Sequence, residues 1–422
     1  MRTPRTDTGR TREAHSMSHL AIFVVPGYGH VGPTIELTRE LVGRGHRVTY
    51  VIDEGYAGLV AEAGAHTVTY RSSRGRLAGQ KSFEGADMAA LFADFFTDGA
   101  ETVLPLAESA LADDKPDLIL YDFGAFPAAR MLARNWSVPT VQLFPQIASN
   151  DEFSLFGSPD AAIQVDEAAM AEFGRGYAAL LGMANANGLT EADMPSFAAA
   201  YDDRNLVFLT RSFQPKGETF DERFVFVGPC FAAGADDGTV PGAWQPPQND
   251  SKVLLASMGT ESNEQAEFFR SFGEAFKDDE WHVVLTLGKG ADAAELGLAD
   301  HLEAHSFLPH PQVLPHAEVL VTHGGPGSVT EALHYGTPMV IVPQTPETRF
   351  NAQHVTELGL GTAILPEDLT AHGLRAAVDE LAKDTRVRDN VARVSQESRD
   401  SGGAIRAAEV LEGWLAALPD AR

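Results

Sequence analysis

From Leu20 onward the chain alternates short apolar runs, rich in β-branched residues, with longer segments of helical period. Unbroken apolar runs of this length suit parallel strands covered on both faces, and the longer segments supply the covering helices. In the first half, residues 20–25, 47–52, 118–121 and 140–143 read as strands, each bounded by Gly, Pro or Asp. A helix is expected over 34–43, and mostly helical chain over 146–200. Two more strand-like runs, 206–210 and 224–228, precede 230–250, whose Gly, Pro, Ala and Asp content reads as a linker. The rhythm then restarts at 252–257, 282–287, 319–322 and 339–342. The pattern therefore predicts an α/β protein with two doubly wound, Rossmann-like units facing across a cleft. Its expected divisions are a flexible extension (1–19), a first domain (20–229), the linker, a second domain (251–400) and a C-terminal helix (401–422) packing back on the first domain. No internal repeat of 20–50 residues is evident. In open parallel sheets ligands sit at the carboxyl ends of the strands, which points to the loops at 26–33, 257–262, 322–331 and 343–350.

Composition narrows the classes. A chain of 422 residues with 44% hydrophobic positions is long enough for two cores. Its 59 acidic against 32 basic residues give a net charge of -27, which repels nucleic acid and anionic membrane, so a phosphate ligand must be held by local geometry. Cys230 is the single cysteine; an intrachain disulfide and a cysteine-based metal cluster are both excluded, which fits a reducing cytoplasm. Arg2, Arg5, Arg10 and Arg12 lie in a segment without hydrophobic period, and Met17 offers an alternative translation start. The apolar run 20–26 is too short to span a membrane.

The first loop, Gly27-Tyr-Gly29-His-Val-Gly32, formally matches a dinucleotide fingerprint, and Asp53 stands where a ribose-binding acid would. Against that reading, His30 places a bulky ring where backbone should approach pyrophosphate, and Pro33 follows at once. The competing account makes His30 a catalytic base. A helix opening near Pro33 turns its positive end toward the imidazole, and a buried carboxylate holds the other ring nitrogen. Asp122, at the end of the run 118–121, is the candidate partner. The plainer alternatives are a satisfied loop histidine and a capping aspartate. His46, His15 and His19 are read in that plainer way.

In the second half, Thr322-His-Gly-Gly-Pro-Gly-Ser-Val-Thr-Glu331 follows a strand and opens a helix. Gly327, Ser328 and His323 form a phosphate cradle there, and Glu331, one turn in, is placed to accept ribose hydroxyls. A glycine-rich turn with a capping serine accounts for Gly327 and Ser328 alone. Upstream, Phe307 in His305-Ser-Phe-Leu-Pro-His310 offers a ring on which a base can stack, unless it is core. Downstream, Glu347 and Thr348 stand where sugar hydroxyls would hang from a pyrophosphate, or in a solvated turn.

Together these residues resemble the signature region of nucleotide-sugar-dependent glycosyltransferases of the GT-B fold (family 1), and most closely those that act on macrolides and other natural products. The resemblance runs from Leu20 to the segment ending near Leu415. It implies His30 as the base that deprotonates an acceptor hydroxyl, with Asp122 as its partner. It implies Phe307 and Leu308 at the base, Thr260, His323, Gly327 and Ser328 at phosphate, Glu331 at ribose, and Glu347 at the sugar. Three positions depart from the family pattern: Phe307 replaces a usual tryptophan, and His310 and Thr348 each replace a glutamine. Thr348 leaves room for a modified or deoxy sugar, and Phe307 leaves uridine and thymidine both open.

The expected reaction is an inverting displacement on a UDP- or dTDP-sugar, without covalent intermediate or cofactor. No Asp-x-Asp triplet occurs in the sequence, and no metal is expected. Phe83, Phe92, Phe95, Phe96, Phe153 and Phe156 suggest a bulky apolar acceptor, a macrolide or polyketide, although many of these rings serve equally as helix-packing residues. The expected partners are this acceptor and the donor, with no nucleic acid or membrane, in a monomer or homodimer. The rival readings are a dinucleotide-dependent oxidoreductase and a non-catalytic sugar-nucleotide-binding protein.

Overall fold

Apolar strands that must be covered on both faces assemble into two all-parallel sheets. The computed structural model describes residues 17–73, 86–155, 166–231, 244–258, 266–277, 280–288 and 296–418. The first sheet holds β1 (His19–Phe23), β2 (Arg47–Asp53), β3 (His66–Tyr70), β4 (Leu118–Asp122), β5 (Thr140–Phe144), β6 (Asn205–Val207) and β7 (Phe224–Phe226), in the order 3-2-1-4-5-6-7. The second holds β8 (Lys252–Ser257), β9 (Trp281–Thr286), β10 (Glu303–His305), β11 (Ala317–Thr322), β12 (Met339–Ile341) and β13 (Gly361–Ala363), in the order 10-9-8-11-12-13.

Period-two alternation divides each central strand between two cores. Leu20, Ile22 and Val24 join one apolar cluster while Ala21 and Phe23 join another on the opposite face. Val253 and Leu255 likewise separate from Leu254 and Ala256. One cluster crosses between the sheets, uniting Phe144, Leu209 and Phe213 with Val253, Val329 and Phe350.

In each sheet the chain starts centrally, works outward on one side, then returns to the other side. The reversals fall between β1 and β4 and between β8 and β11. Loops leaving such neighbours diverge and open a crevice, so both sheets offer a binding site at that point.

Three edge strands, β3, β10 and β13, are absent from the sequence expectation. The first helix also opens earlier than expected, at Tyr28 instead of beyond Pro33, and runs to Gly43 with Pro33 inside it. The helix Gly403–Ala416 buries Ala407, Ala408 and Leu411 in the cluster that holds Leu37 and Leu41 of that first helix. Glu412 accepts a 2.7 Å hydrogen bond from Arg44 Nη1 and meets His46 Nε2 at 3.2 Å. The C-terminal helix thus buttresses the helix that carries His30. No helix among the described residues is long and apolar enough to cross a membrane.

Candidate active site

His30 is the third residue of the helix Tyr28–Gly43, directly above the first sheet's switch point. Asp122 ends β4 and is fully buried. Its Oδ2 accepts from the Val25 amide at 3.1 Å and its Oδ1 from the Ala125 amide at 3.2 Å, so the carboxylate ties the end of β4 to the end of β1. His30 Nδ1 lies 3.0 Å from Asp122 Oδ2, with the ring 21% exposed. The contact is close but out of line, and Nδ1 makes no well-directed hydrogen bond. Base–orienter pairs commonly tighten only when substrate arrives. Phe123, next along the chain, sets its ring 5.5 Å from the imidazole and 6.1 Å from Phe92.

At the second switch point, Thr322 ends β11 and Gly325 caps the helix Pro326–Tyr335. Gly324 adopts φ +85, and a Cβ there would lie 2.7 Å from Ile341 Cγ2, so both backbone and space demand glycine. Asn351 Nδ2 donates to the Gly324 carbonyl at 2.8 Å and holds the loop in place. Gly327 has nothing within 4 Å of a notional Cβ. Gly327 and Ser328 lie in the helix's first turn, where amides have no intrahelical acceptor and attract an anion. Burial, reinforced by nearby His310, lowers the His323 imidazole to about 4. Near neutral pH this ring is therefore a neutral hydrogen-bonding group beside the cradle, and its Nδ1 is buried without a partner.

Groups from the two sheets meet across the cleft. Glu347, in the first turn of the helix Pro346–Glu357, has its Oε1 buried without a hydrogen bond. Burial pushes its carboxyl above the usual range, and His30 opposes that shift from the facing wall. The Tyr28 phenol is raised by burial and then by the charge of Glu331. Gln146, Leu209 and Phe213 from the first half and Thr330, Glu347 and Asn351 from the second line one pocket between the sheets.

Glu331 pairs with His310, Nδ1 to Oε2 at 2.9 Å. Phe307, in the chain after β10, is 56% exposed, while Leu308 packs partly into the core. Thr348 is placed differently from its expected sugar contact. It is 3% exposed and its hydroxyl accepts from the amides of Gln344 at 2.9 Å and Thr345 at 2.8 Å. With Thr345 it forms the capping box of the helix Pro346–Glu357, so its hydroxyl is committed to backbone. Thr260, Phe83 and Phe156 lie outside the described residues. In the first loop Gly27 caps the helix and Gly29 and Gly32 lie in its first turns, as they would in a dinucleotide fingerprint too, so the backbone alone does not separate the two readings. Asp53, the supposed ribose acid, receives the amides of Gly55 at 2.9 Å and Ser72 at 2.8 Å. Sequence reasoning passed over Phe123 and Tyr28, whose surroundings form only when β4 and the second sheet close on His30. Among the described residues no three or more His, Cys, Asp or Glu side chains gather as metal ligands would.

Comparison with known proteins gives this arrangement its family. Residues 274–409 match the family model described as erythromycin biosynthesis protein CIII-like, C-terminal domain. The demethyllactenocin mycarosyltransferase of Streptomyces fradiae is 36% identical over 429 residues, covering 98% of this chain and 91% of that protein. The oleandomycin glycosyltransferase of Streptomyces antibioticus is 35% identical, covering 95% and 91% respectively. The crystal structure of a calicheamicin glycosyltransferase superimposes with a TM-score of 0.82 at 37% identity, covering 96% of this chain and 99% of that one. On this identity over nearly the whole length, the chain belongs to the GT-B glycosyltransferases that transfer a sugar from a nucleotide sugar, among relatives that glycosylate macrolides and other natural products.

Proposed function

We propose that this glycosyltransferase inverts the anomeric centre in one direct displacement, with His30 as general base and Asp122 as the group that orients it. The acceptor O–H gives its proton to His30. Its oxygen bonds to the anomeric carbon as the bond to the diphosphate oxygen breaks, and the electron pair leaves with the nucleoside diphosphate. Asp122 stabilises the imidazolium formed in that step. The amides at Gly327 and Ser328, with neutral His323, receive the growing negative charge on the leaving group, so the protein itself supplies the stabilisation that a bridging metal gives elsewhere. Thr260 joins this phosphate set. Phe307 stacks on the base with Leu308 beside it, Glu331 takes the nucleotide's pentose, and the unpaired Oε1 of Glu347 accepts a sugar hydroxyl.

The acceptor is a bulky, mostly apolar small molecule of macrolide or polyketide type, delivered to the aromatic wall of Phe92 and Phe123 beside His30. The names of the Streptomyces relatives support that class. The donor is linked to UDP or dTDP. The observation that carries the proposal is the 3.0 Å approach of His30 Nδ1 to buried Asp122, with Glu347 of the other sheet close enough to feel the imidazole. A donor-by-acceptor screen read by mass spectrometry, with the anomeric configuration of donor and product compared by NMR, tests it. Retention of configuration contradicts the direct displacement.

A further inference from the structure

The helix Pro346–Glu357 carries Glu347, Asn351 and His354, spaced four and three residues apart, the repeat that aligns side chains on one helix face. Each serves a different part of the molecule. Glu347 lines the pocket between the sheets and keeps its buried Oε1 without a partner. Asn351 Nδ2 donates to the Gly324 carbonyl at 2.8 Å, in the loop that leads into the phosphate cradle. His354 Nε2 lies 2.7 Å from the Phe213 carbonyl oxygen, on the segment that joins β6 to β7 in the first half. A carbonyl oxygen only accepts, so Nε2 carries the hydrogen and donates it. Aromatic rings flank the imidazole: Phe213 at 5.0 Å and Phe350, stacked, at 6.0 Å, with Phe350 in turn 6.1 Å from Phe153 of the first half. Burial lowers His354 from its usual range, against the opposing pull of the Phe213 carbonyl and of Glu357. Near neutral pH the ring therefore has a single N–H, and Phe213 receives it.

Asn351 makes this helix one body with the phosphate loop, so Glu347 and the cradle keep their mutual distance. Transfer needs a second distance as well, from that body to His30, which rides on the other sheet. The hydrogen bond from His354 to Phe213 joins the two bodies. It does so on the helix that bears Glu347, about 10 Å along the axis at 1.5 Å per residue, and a stiff helix passes a shift at one of these points to the other. We infer that His354 is a positioning residue for transfer: by holding the Phe213 carbonyl it fixes the sugar-binding end of its helix against the half of the chain that carries His30. The inference rests on the proposed roles of His30 and Glu347. It predicts a loss in turnover, since nucleotide and sugar contacts within the second half are left intact.

Three substitutions separate the hydrogen bond from the packing around it. His354→Gln puts an amide N–H where Nε2 stands, His354→Asn keeps polarity but stops short of the Phe213 carbonyl, and His354→Leu keeps bulk without a donor. For each full chain, kcat and donor KM are measured with the donor and acceptor found active in the screen, at a temperature where thermal unfolding shows every variant folded. UDP and dTDP are titrated calorimetrically into the same preparations. A misplacement of about 1 Å can cost about 100-fold in rate, so His354→Leu and His354→Asn should lower kcat about tenfold or more. Donor KM and nucleotide affinity should stay within about twofold of the wild type, and His354→Gln should restore kcat to within about threefold. If His354→Leu does not fold, His354→Asn against His354→Gln decides. Wild-type kcat in folded His354→Leu or His354→Asn, a change confined to donor KM or nucleotide affinity, or a loss of kcat that His354→Gln shares overturns the inference and leaves the site reading standing. Transfer at the wild-type rate by His30→Ala overturns the site reading and the inference with it.

Discussion

Asp122 Oδ2 lies 3.1 Å from the Val25 amide and 3.0 Å from His30 Nδ1, so one buried oxygen serves both the joint between β4 and β1 and the candidate base. Structure and chemistry are thereby coupled at a single side chain. The oxygen that fixes the two strand ends also lies against the imidazole above them.

Replacing Asp122 by Asn tests that double role. The amide offers one acceptor where the carboxylate meets the Val25 and Ala125 amides with two oxygens, so its N–H2 group is turned toward one of these backbone donors, at a cost of about 1–3 kcal/mol. The substitution should lower the melting temperature and reduce kcat about 100-fold or more, with donor affinity little changed. Wild-type turnover in a folded Asp122→Asn protein would remove Asp122 from the mechanism.

Glu347 should show stability and function moving apart. Its Oε1 is buried without a partner and burial raises its carboxyl, so the native state gains from losing the charge. Glu347→Gln is expected to melt at the same temperature or higher while its KM for the donor sugar nucleotide rises. Affinity for the nucleoside diphosphate alone should not move. An unchanged donor KM counts against a sugar contact.

Gly324 is constrained twice, by φ +85 and by a 2.7 Å approach of a notional Cβ to Ile341 Cγ2. Gly324→Ala should cost about 1–3 kcal/mol of stability and weaken nucleotide binding, because the strain is relieved by moving the loop that leads into the Pro326–Tyr335 helix. Calorimetric titration with a nucleoside diphosphate, alongside denaturant unfolding, reads both effects. A variant unchanged in both contradicts the constraint.

His19 and His323 set a pH dependence. Burial lowers both to about 4, helped by Arg47 for His19 and by His310 for His323. An unfolded histidine binds its proton near 6.5, roughly, so below that pH the unfolded chain holds protons that the native chain does not. Their contribution to stability is full above about 6.5 and is lost as pH falls toward about 4. Glu347 runs the other way, since its raised carboxyl favours the native state at low pH. Melting temperature plotted between these limits should slope less steeply in His19→Asn than in the wild type, and parallel curves would exclude His19 as a contributor.

The sequence displayed the central strands because they are covered on both faces and must be apolar throughout. It hid the edges. β3 reads His-Thr-Val-Thr-Tyr with exposed alternate positions, and β10 and β13 have three residues each, too few to carry a period. The helix start was misread because proline favours the first turn, whereas here the extended Gly27 is the cap and Pro33 lies inside. In the site, His30 and Asp122 were legible from their places at strand ends. Thr348 was judged by its neighbour Glu347, although the Thr345-x-x-Thr348 spacing carried the local capping signal that the structure follows. The Phe123 ring beside His30 and the Glu331 charge near Tyr28 are products of tertiary closure, with no local pattern to announce them.

The most direct test of the account is single-turnover transfer by purified His30→Ala, with nucleoside diphosphate binding measured on the same preparation. Loss of the base should slow transfer about 100- to 10,000-fold while nucleotide affinity stays within about twofold of the wild type. Transfer at the wild-type rate would contradict the assignment of His30 as the group that takes the acceptor's proton.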